Sequence, residues 1–105
     1  MISSLKKDMD SVIKIRESKD INDFYGINEC WNEIIELLSD NINETIAYLN
    51  NCSEKEVYYI SEVFEDIAER TNSKEYIKCL RAIDSKYPRL NLKQDIDVAE
   101  EYIID

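Results

Sequence analysis

Carboxylates dominate every position at which this chain could do chemistry. Glu33 and Glu36, Glu62 and Asp66, and the pair Asp95-x-Asp97 each set two acids at short spacing, which general acid and base work or a hard divalent cation can use. Nothing else completes such a site. There is no His, hence no imidazole base, no His-dependent triad and no His-ligated zinc, and a single Gly leaves no glycine-rich loop to cradle a phosphate. With 23 acids among 105 residues, close pairs arise by chance, and no nucleophile-base pair, oxyanion site or EF-hand pattern accompanies them. The reading is a non-enzymatic protein with no cofactor and no bound metal.

Cysteine adds no alternative. Cys30, Cys52 and Cys79 are odd in number and form no C-x-x-C, so neither a disulfide framework nor a zinc ribbon is indicated, and reduced thiols in a cytoplasmic protein are expected. The segment from Met1 to Asp8 lacks the apolar core of a signal peptide, and no apolar run approaches the roughly 18 to 20 residues of a membrane span. A soluble protein with no membrane partner follows as the expectation.

The elements that must position the acids are helices. Apolar residues recur at helical spacing nearly throughout, and one Gly and one Pro cannot supply the turns of a sandwich or barrel, so the fold class is all-α: a compact bundle or stack of antiparallel helical hairpins, with about five to six helices in a single domain over residues 1–105. The first helix spans residues 3–18 and buries Leu5, Met9, Val12 and Ile13. Residues 19–27 read as a connector in which Phe24 and Tyr25 plug a helix junction beside Gly26. A second helix starts near Asn28, with Trp31, Ile34, Ile35 and Leu38 inward, and breaks at residues 39–41. A shorter third carries Ile42, Ile46 and Leu49. Ser53 and Glu56 form a capping box for a fourth, which runs through Val57, Ile60, Val63, Phe64, Ile67 and Ala68 to Thr71-Asn72. Ser73 caps a fifth that ends before Pro88, and a last amphipathic segment runs from Leu92 to about Ile104. No fixed-period repeat is present, so a solenoid is not supported.

The net charge of -10 is unevenly distributed. Residues 1–19 carry five bases and three acids, and residues 70–105 carry seven of each. Residues 20–69 hold thirteen acids against one base, Lys55, so this middle half carries more than the whole excess. At about 100° per residue, Glu29, Glu33, Glu36 and Asp40 fall within a ~60° arc opposite the apolar face of the second helix. Glu62, Glu65, Asp66 and Glu69 are likewise expected on one face of the fourth, with Tyr58 among them. Like charges at i, i+4 cost a few tenths of a kcal/mol each, and repeating that cost on two helices without a compensating Lys suggests a surface kept for a basic partner. The same charge repels phosphate and argues against nucleic-acid binding. Seven tyrosines against two phenylalanines add rings with a polar tip, and Tyr25, Tyr48 and Tyr58 are the candidates for partner contact.

From Val57 onward a set of residues forms a recognisable pattern: the run from Tyr59 to Ala68, then Thr71, the run from Ser73 to Ile77, Leu80, Lys86-Tyr87-Pro88, Asp95-Ile96 and the run from Ala99 to Ile103. In these residues the chain resembles small bacterial immunity proteins that neutralise the toxic domains of contact-dependent and related polymorphic toxins. The resembling residues cover the last half of the chain, and the Lys-Tyr-Pro stop between two amphipathic helices is the most distinctive part. The resemblance implies a cytoplasmic immunity protein that blocks a cognate toxin domain, often a nuclease, by tight binding without a cofactor. The acidic helix over residues 28–39 lies outside it, so contact residues come from the charge pattern alone.

The expected function is neutralisation of a basic toxin domain, a nuclease, by an acidic helical face that occludes its active site. The expected contact residues are Glu29, Glu33, Glu36, Asp40, Glu44, Tyr58, Glu62, Glu65, Asp66 and Glu69. Two alternatives stand beside it: a non-enzymatic helical adaptor or DNA mimic that binds another basic protein, and a carboxylate metalloenzyme.

Overall fold

A computed structural model describes residues 4–104. The expected helix start at Ser3, the N-terminal residues 1–3 and Asp105 lie outside them. Seven α-helices follow in order: α1 (Ser4–Ser18), α2 (Phe24–Ser39), α3 (Ile42–Asn50), α4 (Glu54–Ile60), α5 (Phe64–Thr71), α6 (Lys74–Lys86) and α7 (Lys93–Glu101). A 3₁₀ turn at Ser61–Val63 joins α4 directly to α5, so the helical stretches number six, and the described residues contain no strand. The all-α bundle is therefore what the chain forms. Its Cα radius of gyration, 13.0 Å, matches the roughly 13 Å of a compact chain of this length, so the rods close on one core instead of extending as a stack.

That core is built by the faces the spacing predicts. Leu5, Met9, Val12 and Ile13 of α1 pack against α2, whose Ile34, Ile35 and Leu38 are buried beside them. α3 lies on α6, and α7 closes the far side against α5 and α6. The Ser53–Glu56 capping box forms, with both reciprocal bonds in place. Ser73 caps α6, which ends at Lys86, one residue before the backbone restricted by Pro88.

Four local expectations are corrected. Residues 24–27 are not a connector: α2 begins at Phe24, capped by Asp23, whose carboxylate accepts from the Gly26 N–H at 2.9 Å. The only glycine leaves room for that approach: a Cβ on Gly26 would come within 2.5 Å of Asp23 Oδ2, and the capping carboxylate would have to shift. Phe24 and Tyr25 plug nothing, being 77% and 78% exposed. Tyr48 is not a surface contact but core, its place on α3 fixed by Thr45, whose buried hydroxyl donates to the Leu38 carbonyl at 2.7 Å. With Thr45, Tyr48 and Leu49 facing inward, Ile42 and Ile46 are left only half-buried.

The fourth correction matters most for the site. The helix expected to run unbroken through Val57 and Ala68 is broken at Ser61–Val63. The Ser61 hydroxyl donates to the Tyr58 carbonyl at 2.6 Å, a local bond that competes with the helical ladder, and Val63 leaves helical backbone with φ -126° and ψ 19°. Tyr76, fully buried on α6, then braces the restart of α5 by donating its hydroxyl to the Phe64 carbonyl at 2.9 Å. Replacing Tyr76 by Phe is expected to lower stability by about 1–2 kcal/mol in urea unfolding, because a buried carbonyl loses its partner while the ring still fills its space.

Asparagine performs the turns that glycine usually makes. Asn72 and Asn91 adopt left-handed backbone, with φ of 48° and 53°, after α5 and after the 3₁₀ turn Pro88–Leu90. The Asn72 side chain also clasps Ile104, accepting from its N–H at 2.7 Å and donating to its carbonyl at 2.9 Å.

Candidate functional site: an acidic cleft at one end of α2

The C-terminal end of α2 carries Glu33 and Glu36, with Asp40 at its C-cap. The chain then reverses at Asn41, whose side chain caps α3 by accepting from the Asn43 and Glu44 N–H groups. The reversal brings Glu44, in the first turn of α3, to the same side as the α2 acids. Together with Asp8 of α1, these four carboxylates line an open cleft of about 770 Å³, and Arg70 of α5 is the one base in its lining. Arg70 sits in the last turn of α5, where a cation is favoured by the helix dipole. By the same rule α2 is charged against its own dipole: Glu36 and Asp40 occupy its last turn and cap, and no base does.

Glu33, Glu36, Asp40 and Glu44 are exposed, and no Lys or Arg among the described residues lies within ion-pair distance of any of them. Bases elsewhere do find carboxylates, as in Lys6–Asp10 at 3.2 Å, Arg81–Asp97 at 2.8 Å and Arg89–Glu54 at 2.6 Å. Even Lys55, the one base of residues 20–69, is engaged with Glu17 of α1 at 3.0 Å. The helix ends thus collect acids that the rest of the chain leaves uncompensated.

The other expected contact residues do not join this cleft. Glu29 is exposed on α2 nearer its N-terminal end. Glu65 faces a smaller groove with Asp95, Asp66 is half-buried and Glu69 is exposed. Glu62, in the 3₁₀ turn, lines that smaller groove beside Glu65 but does not stand free in it. Glu62 instead accepts from Arg16 Nε at 2.9 Å and Nη2 at 2.7 Å, and from the Trp31 indole N–H at 2.9 Å. The bond to Glu62 holds the Arg16 guanidinium above its ordinary pKa, and Arg16 also lies over the Tyr59 ring, 5.3 Å from its centre.

Glu62 is therefore a rivet joining α1, α2 and the 3₁₀ turn. Replacing Glu62 by Ala is expected to cost about 2 kcal/mol, below the range for fully buried pairs because the two side chains keep 14% and 23% of their exposure. An Arg16→Ala, Glu62→Ala cycle in urea should give a coupling of at least about 1 kcal/mol. Sequence reasoning overlooked this use of Glu62, although an indole N–H on a half-buried Trp calls for an acceptor. It also overlooked Asp8 and Arg70, which enter the cleft only through the packing of α1 and α5 on α2.

The carboxylate pairs read as possible catalytic or metal positions do not assemble further: among the described residues no group of three or more metal-ligating side chains converges. No helix among them is long and apolar enough to cross a membrane. Compared with known proteins, the chain matches no protein-family model, no curated protein and no solved structure.

Proposed function

We propose that this chain is an immunity protein, acting in the cytoplasm, that binds a cognate toxin domain with a basic nucleic-acid-binding groove and occludes it. The observation that carries the reading is the acidic cleft, in which Glu33, Glu36, Asp40 and Glu44 stand with Asp8 against the single base Arg70. Keeping acids at the C-terminal end of α2 costs a few tenths to about 1 kcal/mol at each position, so their concentration there suits a binding surface better than a merely solvated one. A nuclease groove presents clustered Lys and Arg to phosphate, and an acidic surface of complementary shape speeds association with it and competes with the nucleic acid. No residue of this chain needs to perform chemistry for that inhibition.

The test is co-expression with the product of the gene immediately upstream, where a toxin gene would stand. A stoichiometric complex that survives purification, together with loss of the partner's nuclease activity, supports the reading. Absence of binding between the two purified proteins would sink it.

A further inference from the structure

Four large apolar side chains stand together in solvent near the N-terminal end of α2. Ile21, Phe24, Tyr25 and Tyr58 are 81%, 77%, 78% and 53% exposed, and all four line one groove of about 700 Å³. The Arg16–Glu62 pair and Trp31 also line it, so the groove lies against the rivet joining α1, α2 and the turn after α4. The fold does not need these side chains where they are. Helix α2 is anchored at this end by the Asp23 cap and by buried Gly26 and Ile27, while Phe24 and Tyr25 face outward. A contiguous exposed apolar group of this kind marks an interaction surface in a monomeric protein.

Charge selects the occupant. The wall residues Ile21, Phe24 and Tyr25 belong to the stretch from Asp20 to Glu54 that contains no Lys or Arg. The bases near the groove are committed: Arg16 to Glu62 at 2.7 Å, Lys19 to Asp23 at 3.9 Å and Lys55 to Glu17 at 3.0 Å. Asp20 and Glu29 have no Lys or Arg within ion-pair distance among the described residues. A second copy of the chain would bring a further charge of -10 to an already acidic rim, and an anionic lipid surface would be repelled in the same way.

We infer that the groove receives a bulky apolar side chain of a partner protein, carried on a segment flanked by Lys or Arg. This rests on the proposed function in taking the toxin domain as that partner, and it adds a second point of contact. Around the α2 axis Tyr25 lies about 20° from Glu36 while Phe24 lies about 120° from it, so Tyr25 alone of the two rings continues the acidic face and Phe24 turns toward the Trp31 side. The cleft and the groove stand at opposite ends of a helix of 16 residues, about 24 Å long, a span that one protein interface of ordinary size covers. Charge in the cleft draws the partner in, and the apolar anchor in the groove slows its departure.

Trp31 is the only tryptophan and lines the groove, so its emission reports occupancy. The probe is a short peptide alternating Lys and Leu, with an all-Lys peptide of equal length as the control. The alternating peptide is expected to shift Trp31 emission saturably and the all-Lys peptide to leave it unchanged. Phe24→Ser and Tyr25→Ser should each weaken the alternating peptide about tenfold without altering the far-UV spectrum or melting temperature, because both side chains are exposed. Equal responses to the two peptides, or affinity untouched by Phe24→Ser, would overturn the inference. Self-association abolished by Phe24→Ser would also overturn it, in favour of a second copy. With the upstream gene product, a complex that forms and ignores Phe24→Ser removes the groove while leaving the proposed function standing. A peptide response without any such complex keeps the groove and removes the toxin as its partner.

Discussion

Reversing two charges in the cleft, Glu33→Lys with Glu36→Lys, is expected to weaken the complex with the toxin domain by about 100-fold at low salt. Losing one desolvated interfacial charge costs 2–5 kcal/mol, and reversal adds repulsion, so about 3 kcal/mol for two exposed positions is a conservative figure. The salt dependence should become shallower as well, because fewer complementary charges meet across the interface. Calorimetric or kinetic titration over a range of salt concentrations measures both. Affinity unchanged at low salt would remove the cleft from the interface. Misfolding is not expected to confuse the result. Glu33 and Glu36 are exposed, and relieving like-charge repulsion along α2 should leave its stability equal or slightly higher.

Raising the pH is expected to erode stability from about pH 9 and to unfold the protein cooperatively near pH 11 to 12. Burial pushes the Cys52 thiol up to about 12 and holds the hydroxyls of Tyr48 and Tyr76 well above the ordinary phenol value. The sign follows from proton count: between the unfolded and folded pKa of such a group, the unfolded chain has lost a proton that the folded chain keeps. The stability is therefore complete below the unfolded values, near 9 for the thiol and near 10 for the phenols, and is lost as pH rises through them. Each group contributes about 1.4 kcal/mol per pH unit in that window. Lys6 and Lys55, held above their ordinary value by Asp10 and Glu17, act in the same direction. Against a typical stability of about 5–15 kcal/mol, three such groups bring the midpoint to roughly pH 11 to 12. Circular dichroism against pH checks this, and Cys52→Ala should flatten the slope between about pH 9 and 10. A stability that stayed level up to pH 12 would show that these groups are not shielded in solution.

The helices were legible because their signals are local. The apolar stripe of α1, the Ser53–Glu56 capping box and the stop before Pro88 each lie within a few residues of one another, and the fold uses them as read. What escaped depends on contacts between distant segments or on a local bond that leaves periodicity intact. The Ser61 hydroxyl breaks α4 from α5 while Ile60, Val63, Phe64 and Ile67 keep an apolar rhythm straight through the break. Glu62 still lines a groove with Glu65, and only the positions of Arg16 and Trp31 reveal the partners that engage it. Gly26 suggested a loop because glycine usually marks one, whereas its role is to admit the Asp23 carboxylate inside a helix. The cleft was half legible: four of its acids follow from the base-free stretch, while Asp8 and Arg70 arrive by packing.

The three thiols have a practical consequence. Cys30, Cys52 and Cys79 are all buried, and burial raises the pKa of each, so little thiolate is offered to solvent at neutral pH. The folded surface is accordingly blank to maleimides. One cysteine introduced at Glu36 and another at Tyr25 could each carry a dye or spin label without removing the native three, which makes the two ends of α2 separately addressable for distance measurements in a complex.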